Sequence, residues 1–153
     1  MSNVDLLVQK LTAHESSQLD RERRAKELLF QAQRREERFI ELVEETLKLP
    51  ASKKLLKLTR YHLEQEVLME GGLQKVKLVG LKVSIAGKTV ALKPMVQAWE
   101  GSFPVRFFLE GTRDDSCSIV HGDEDWELSR PMSDGSKIVM DREGIAGLFV
   151  ELV

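Results

Sequence analysis

Glycine and proline are absent from the first forty-nine residues, cysteine occurs once, and no apolar run approaches the ~20 residues that cross a bilayer. The lone Cys117 excludes a disulfide framework and a cysteine-based zinc site, and fits a reducing cytoplasm. The opening thirty residues are polar and charged, without the apolar stretch of a signal peptide. Neither sign of charge dominates: 23 basic against 25 acidic residues leave a net of -2. That balance excludes an acidic disordered tail and a uniformly basic nucleic-acid coat. At 153 residues, 42% of them apolar, the chain can form one modest core.

The present residues divide the chain in three. The first fifty are rich in Leu, Glu, Arg, Gln and Ala and read as helix. A heptad frame through Val4, Val8, Leu11, Glu15, Gln18, Glu22, Ala25, Leu29, Ala32, Glu36, Phe39, Val43 and Thr46 is apolar at both ends and polar at 15, 18 and 22. The weak middle and the pair Ser16-Ser17 suggest two helices, over 3–14 and 18–48, with Pro50 as the stop. Unbroken, forty-five helical residues would reach ~65–70 Å, too far for one small domain, so this segment is expected to be a protruding arm. Leu29, Ala32, Phe39 and Val43 form the best part of its seam and are the candidate oligomerisation or partner residues. The run from Arg21 to Arg38, with RERRAKE and QRREER, reads as a solvated face knitted by weak ion pairs, since residues 1–50 hold nine bases against ten acids.

Ser52 is a candidate N-cap for a second helix over 52–70, which would form a helical hairpin with the first. Leu55, Leu58, His62 and Met69 share one face of it, and Lys53, Lys57, Arg60 and Glu64 another. Beyond Gly72 the period becomes two. The apolar parity flips across Val79-Gly80, from Val76 and Leu78 to Leu81, Val83 and Ile85, and a β-bulge at Gly80 would keep both sets on one face. Ala86-Gly87-Lys88 turns the chain into a strand over 89–95, whose Pro94 marks a sheet edge. Further strands read at 105–110, 118–121, 126–128 and 137–140, with Asp114-Asp115 and Asp134-Gly135 as turns. Ile145, Leu148, Phe149 and Leu152 stand at helical spacing behind Asp141, a candidate N-cap, so a closing helix is expected. The expected fold is α+β: a helical arm over 1–50, then a compact domain over 51–153 with an antiparallel sheet or partly open barrel of about six strands and a short C-terminal helix.

A search for chemistry finds little. Gly87-Lys88-Thr89 resembles the end of a phosphate loop, but position 82, where the first glycine belongs, is Lys. Cys117 and His121, four residues apart on a strand, stand ~13 Å from each other, too far for a nucleophile and its base. The three histidines fall in unrelated segments, Asp123, Glu124 and Asp125 lack calcium-loop spacing, and Ser116 and Ser118 lack a glycine elbow. No catalytic, cofactor or metal site is expected.

One charge feature survives. Residues 71–99 contain Lys75, Lys77, Lys82, Lys88 and Lys93 and no acid, whereas 100–153 hold five bases against twelve acids. Lysines on a hairpin commonly keep a sheet soluble and block edge pairing; they could also meet an anionic partner, protein or nucleic acid. The sequence therefore points to a non-enzymatic, cytoplasmic adaptor, not bound to membrane, that oligomerises or pairs with a helical partner through its N-terminal helix. The alternative is a nucleic-acid-associated accessory protein that uses the lysine-rich hairpin.

Overall fold

The computed structural model describes residues 2–69, 72–97, 103–112, 117–122, 124–129 and 138–153. A single helix, α1 (Asn3–Thr46), runs through the weak middle of the heptad frame without a break. It starts at a capping box that pairs Ser2 with Asp5: Asp5 N–H donates to Ser2 Oγ at 3.1 Å, and Ser2 N–H donates back to the Asp5 carboxylate at 3.3 Å. The expected break at Ser16-Ser17 does not occur because no glycine or proline interrupts the ladder there, and both serines simply face solvent. Pro50 has no N–H for the carbonyl four residues earlier, and α1 ends at that residue, Thr46. A short α2 (Lys48–Ser52) follows, so Ser52 closes a helix where an N-cap was expected; its hydroxyl donates to the Leu49 carbonyl at 2.7 Å.

The expected second helix over 52–70 is a strand. β1 (Leu56–Met69) and β2 (Gly72–Ile85) form a hairpin of fourteen residues a side, paired without interruption from Leu56 opposite Ile85 to Met69 opposite Gly72. Five more strands continue the meander: β3 (Lys88–Val96), β4 (Val105–Glu110), β5 (Ser118–His121), β6 (Trp126–Ser129) and β7 (Ile138–Val139). Among the described residues the sheet is open, antiparallel and seven-stranded in sequence order, against about six strands expected. The turn residues Asp114-Asp115 and Asp134-Gly135, and Asp123, lie outside the described residues.

No bulge interrupts the pairing of β2 with β1 at Gly80. Val76 and Leu78 therefore point to the opposite face from Leu81 and Val83, yet all four are fully buried. Both sets can be buried because β2 leaves β3 at this point: their ladder ends with Leu81 opposite Leu92. Side chains replace the ladder bonds that would have followed. From α1, Glu36 Oε1 accepts the Val79 N–H at 3.0 Å, and Gln33 Nε2 donates to the Lys77 carbonyl at 3.2 Å. From β1, the Gln65 amide accepts the Val96 N–H at 2.9 Å and donates to the Val96 carbonyl, and Tyr61 Oη donates to the Leu92 carbonyl at 3.2 Å. The Tyr61 ring passes directly over Gly80, where any Cβ would sit 2.3 Å from it. A side chain at position 80 would have to displace the Tyr61 ring and its hydrogen bond to Leu92.

The core lies between the sheet and the C-terminal half of α1, with α3 (Arg142–Leu152) beside it. Phe39 packs against Phe107 at 5.2 Å and against Trp126 at 4.7 Å between ring centroids. The expected closing helix is α3: Asp141 Oδ1 accepts the Gly144 N–H at 2.9 Å, and Ile145, Leu148 and Phe149 are buried. A Cβ on Gly144 would fall 2.0 Å from the Val139 carbonyl oxygen. Gly144→Ala must push α3 away from β7, and a loss of about 1–3 kcal/mol in urea-unfolding stability is expected. An unchanged midpoint would show that the two elements are free to separate.

Candidate functional site

The hydrophobic core crosses the boundary drawn at residue 50. Leu29, Ala32, Phe39 and Val43, the four expected seam residues, are 5%, 2%, 1% and 1% exposed and pack inside their own chain. The heptad frame that suggested an intermolecular seam was reading the face that α1 turns toward the sheet, since both demand apolar side chains three and four apart. The outer half of the helix has no such cover. Val4, Leu7, Val8 and Leu11 are 70%, 56%, 58% and 58% exposed, at helical spacing on one side.

The five lysines do not form one array. Without a bulge, Lys75 and Lys77 project from one face of β2 and Lys82 from the other. Each meets its own neighbour: Lys75 stands opposite Glu66 and Lys77 opposite Glu64, while Lys82 Nζ lies 5.3 Å from the centre of the Tyr61 ring. Lys93 pairs with Glu110 at 3.6 Å, and Lys88 Nζ donates to the Leu152 carbonyl at 3.5 Å. Two carboxylates directly opposite the outer pair reduce the field that would attract phosphate.

Glu36 is the buried charge-bearing group of the helix, 1% exposed. Burial pushes its carboxyl up to about 8, against the lowering effect of the Val79 N–H; neighbouring Glu37 adds to the rise and Arg60 opposes it. Arg60 in turn grips Glu44 of α1, with Nε donating to both carboxylate oxygens at 2.9 and 3.0 Å, which holds β1 to the helix.

A cluster that the sequence did not single out lies where α1 crosses the far end of the sheet. Arg34, Arg35 and Arg38 occupy one flank of the helix beside the buried stripe, and the hairpin of β5 and β6 brings His121 and Trp126 up to them. Together with Gln31, Phe39, Leu42 and Glu124 they line a cleft of about 490 Å³. Trp126 stands edge-on to His121 at 5.2 Å, and burial, then the nearby Arg35, lowers the histidine below its ordinary range. Spacing could not reveal this site, because some 85 residues separate its two walls. Among the described residues no three His, Cys, Asp or Glu side chains converge as a metal site, and no helix is long and apolar enough to cross a membrane. No protein-family model matches the chain, and no curated protein or solved structure shows significant similarity to it.

Proposed function

We propose that the chain is a non-enzymatic, cytoplasmic interaction protein whose outer helical segment pairs as a coiled coil with a second copy of itself or with another helix. The observation that carries this reading is the uncovered stripe of Val4, Leu7, Val8 and Leu11 on a helix that has already left its own core. An isolated helix of this length is marginal in water, and covering its apolar side supplies the stability it lacks. Polar Glu15, Gln18 and Glu22 in the same frame confine the pairing to the outer turns. The scattered, individually partnered lysines support this reading over phosphate binding by the hairpin.

Sedimentation equilibrium of the full chain tests it. The wild type is expected to associate at micromolar concentrations. Val8→Asp with Leu11→Asp should raise the dissociation constant ~100-fold, about 3 kcal/mol, by placing charge in the seam. The melting temperature of the folded domain should not change, because both residues are outside its core. A wild type that stays monomeric over the whole concentration range would remove self-pairing.

A further inference from the structure

We propose that the cleft between α1 and the β5–β6 hairpin binds a nucleoside phosphate, with its phosphate held by Arg35 and Arg38 and its base laid against Trp126. Three guanidinium groups, from Arg34 and Arg35 on one turn and Arg38 on the next, line the cleft from the helix side. Among the described residues none of the three lies within ion-pair distance of a carboxylate; Arg34 rests over the Phe30 ring at 5.7 Å. Among the described residues one carboxylate, Glu124, lines the cleft against them, and the charges of Asp125 and Glu127 also reach His121. Glu37 and Glu41 stand three residues beyond Arg34 and Arg38, yet these arginines do not pair with them as Arg23 does with Asp20. Here they face a concave wall. The planar fork of each guanidinium can engage two phosphate oxygens at once, a geometry that lysine does not offer.

The aromatic wall decides the rest of the ligand. Trp126 is half-buried, packed against Phe39 and Phe107, and lines the cleft beside His121. A flat ring can stack there without a hydrogen-bond pattern being satisfied first. A cleft of about 490 Å³ exceeds what a bare phosphate fills and falls within the range of small-molecule sites, roughly 300–1,000 Å³. His121, packed against Trp126 and near enough to Arg35 to feel its charge, adds a hydrogen-bonding group to the cleft wall. The same chemistry could arrive as a free mononucleotide or as the phosphorylated 5′ end of an RNA strand.

The test follows the Trp126 indole and the arginine side-chain resonances of the full chain by NMR. The probes are adenosine 5′-monophosphate, adenosine, inorganic phosphate, and one short RNA with and without a 5′-phosphate. Adenosine 5′-monophosphate is expected to saturate and to shift the Trp126 indole signal, with adenosine and inorganic phosphate each at least about tenfold weaker. Arg35→Gln with Arg38→Gln should abolish saturation, and Arg35→Lys should weaken it while keeping the charge and the fold. Lys75→Gln with Lys77→Gln should leave affinity unchanged. Tighter binding of the 5′-phosphorylated RNA than of the mononucleotide would identify the strand end as the source, and equal or weaker binding the free nucleotide. The proposal is overturned by adenosine 5′-monophosphate that fails to saturate, by inorganic phosphate binding as tightly as the nucleotide, or by arginine variants that bind like the wild type.

Discussion

A fragment comprising residues 52–153 is expected to fail to fold, whereas one comprising 20–153 should unfold cooperatively at nearly the full-length midpoint. The shorter fragment loses Leu29, Ala32, Phe39, Ile40, Val43 and Leu47, all between 0% and 5% exposed. Truncating one large buried side chain typically costs ~2–5 kcal/mol, and the whole of a domain's stability is about 5–15 kcal/mol, so removing the set exceeds what the sheet can hold in reserve. The loss is also polar. Val79 N–H would lose Glu36 and the Lys77 carbonyl would lose Gln33, which reopens the edge of β2 where it parts from β3. Among the described residues the longer fragment discards only exposed ones, and it leaves Asp20 at its new start as an N-cap. Far-ultraviolet circular dichroism with urea titration distinguishes them. A cooperative transition in 52–153 would show that the sheet and α3 suffice and that α1 merely rests on them.

The second large effect belongs to Glu36 and depends on pH. Burial pushes its carboxyl up to about 8 in the folded chain, from an ordinary value of 4.5. Below pH 4.5 both states hold the proton and nothing is lost. Between 4.5 and 8 the unfolded chain releases it first, so stability falls by up to about 1.4 kcal/mol per pH unit. Above 8 the folded carboxyl is ionised as well and the loss levels off. Glu36→Gln keeps an oxygen for the Val79 N–H and removes the proton from the balance. The variant is expected to match the wild type at pH 4 and to exceed it by roughly 1–3 kcal/mol at pH 8. Urea midpoints at the two pH values measure the difference. Equal pH dependence in both proteins would falsify the assignment of a neutral buried carboxyl. Glu36→Ala should instead destabilise at every pH, because the buried N–H is left without an acceptor.

The misreading of 52–70 as helix has a physical origin in the same hairpin. Along β1 the more buried residues run Leu56, Leu58, then Tyr61, Leu63, Gln65 and Val67, a change of parity at Arg60-Tyr61. That change mirrors the one across Val79-Gly80 on the partner strand, since Tyr61 stands opposite Gly80. A period of two with one phase slip places Leu56, Leu63 and Val67 seven and four apart, which imitates a helix. Two signals in the chain pointed the other way: the paired parity changes on either side of Gly71-Gly72, and the residues Thr59, Tyr61 and Val67, which favour strands. The closing helix was legible because its cap and its apolar spacing are both local. The arginine cleft was not, because Arg34, Arg35 and Arg38 have no local feature to separate them from a solvated face. Only the arrival of His121 and Trp126 from a distant hairpin turns them into a wall.

An unbroken helix also carries rotational phase from one end to the other. Eighteen residues make about five full turns, so side chains that far apart lie on one line along the axis. Leu7, Ala25 and Val43 form such a line, and Leu11, Leu29 and Leu47 another. In each, the last member is buried in the core and the first is open to solvent. The side of α1 that meets the sheet below is thus the same side that stands bare above it. A helix laid on the bare stretch would sit directly in line with the sheet, stacked end to end with the protein's own core as though the core had been extended by one more layer.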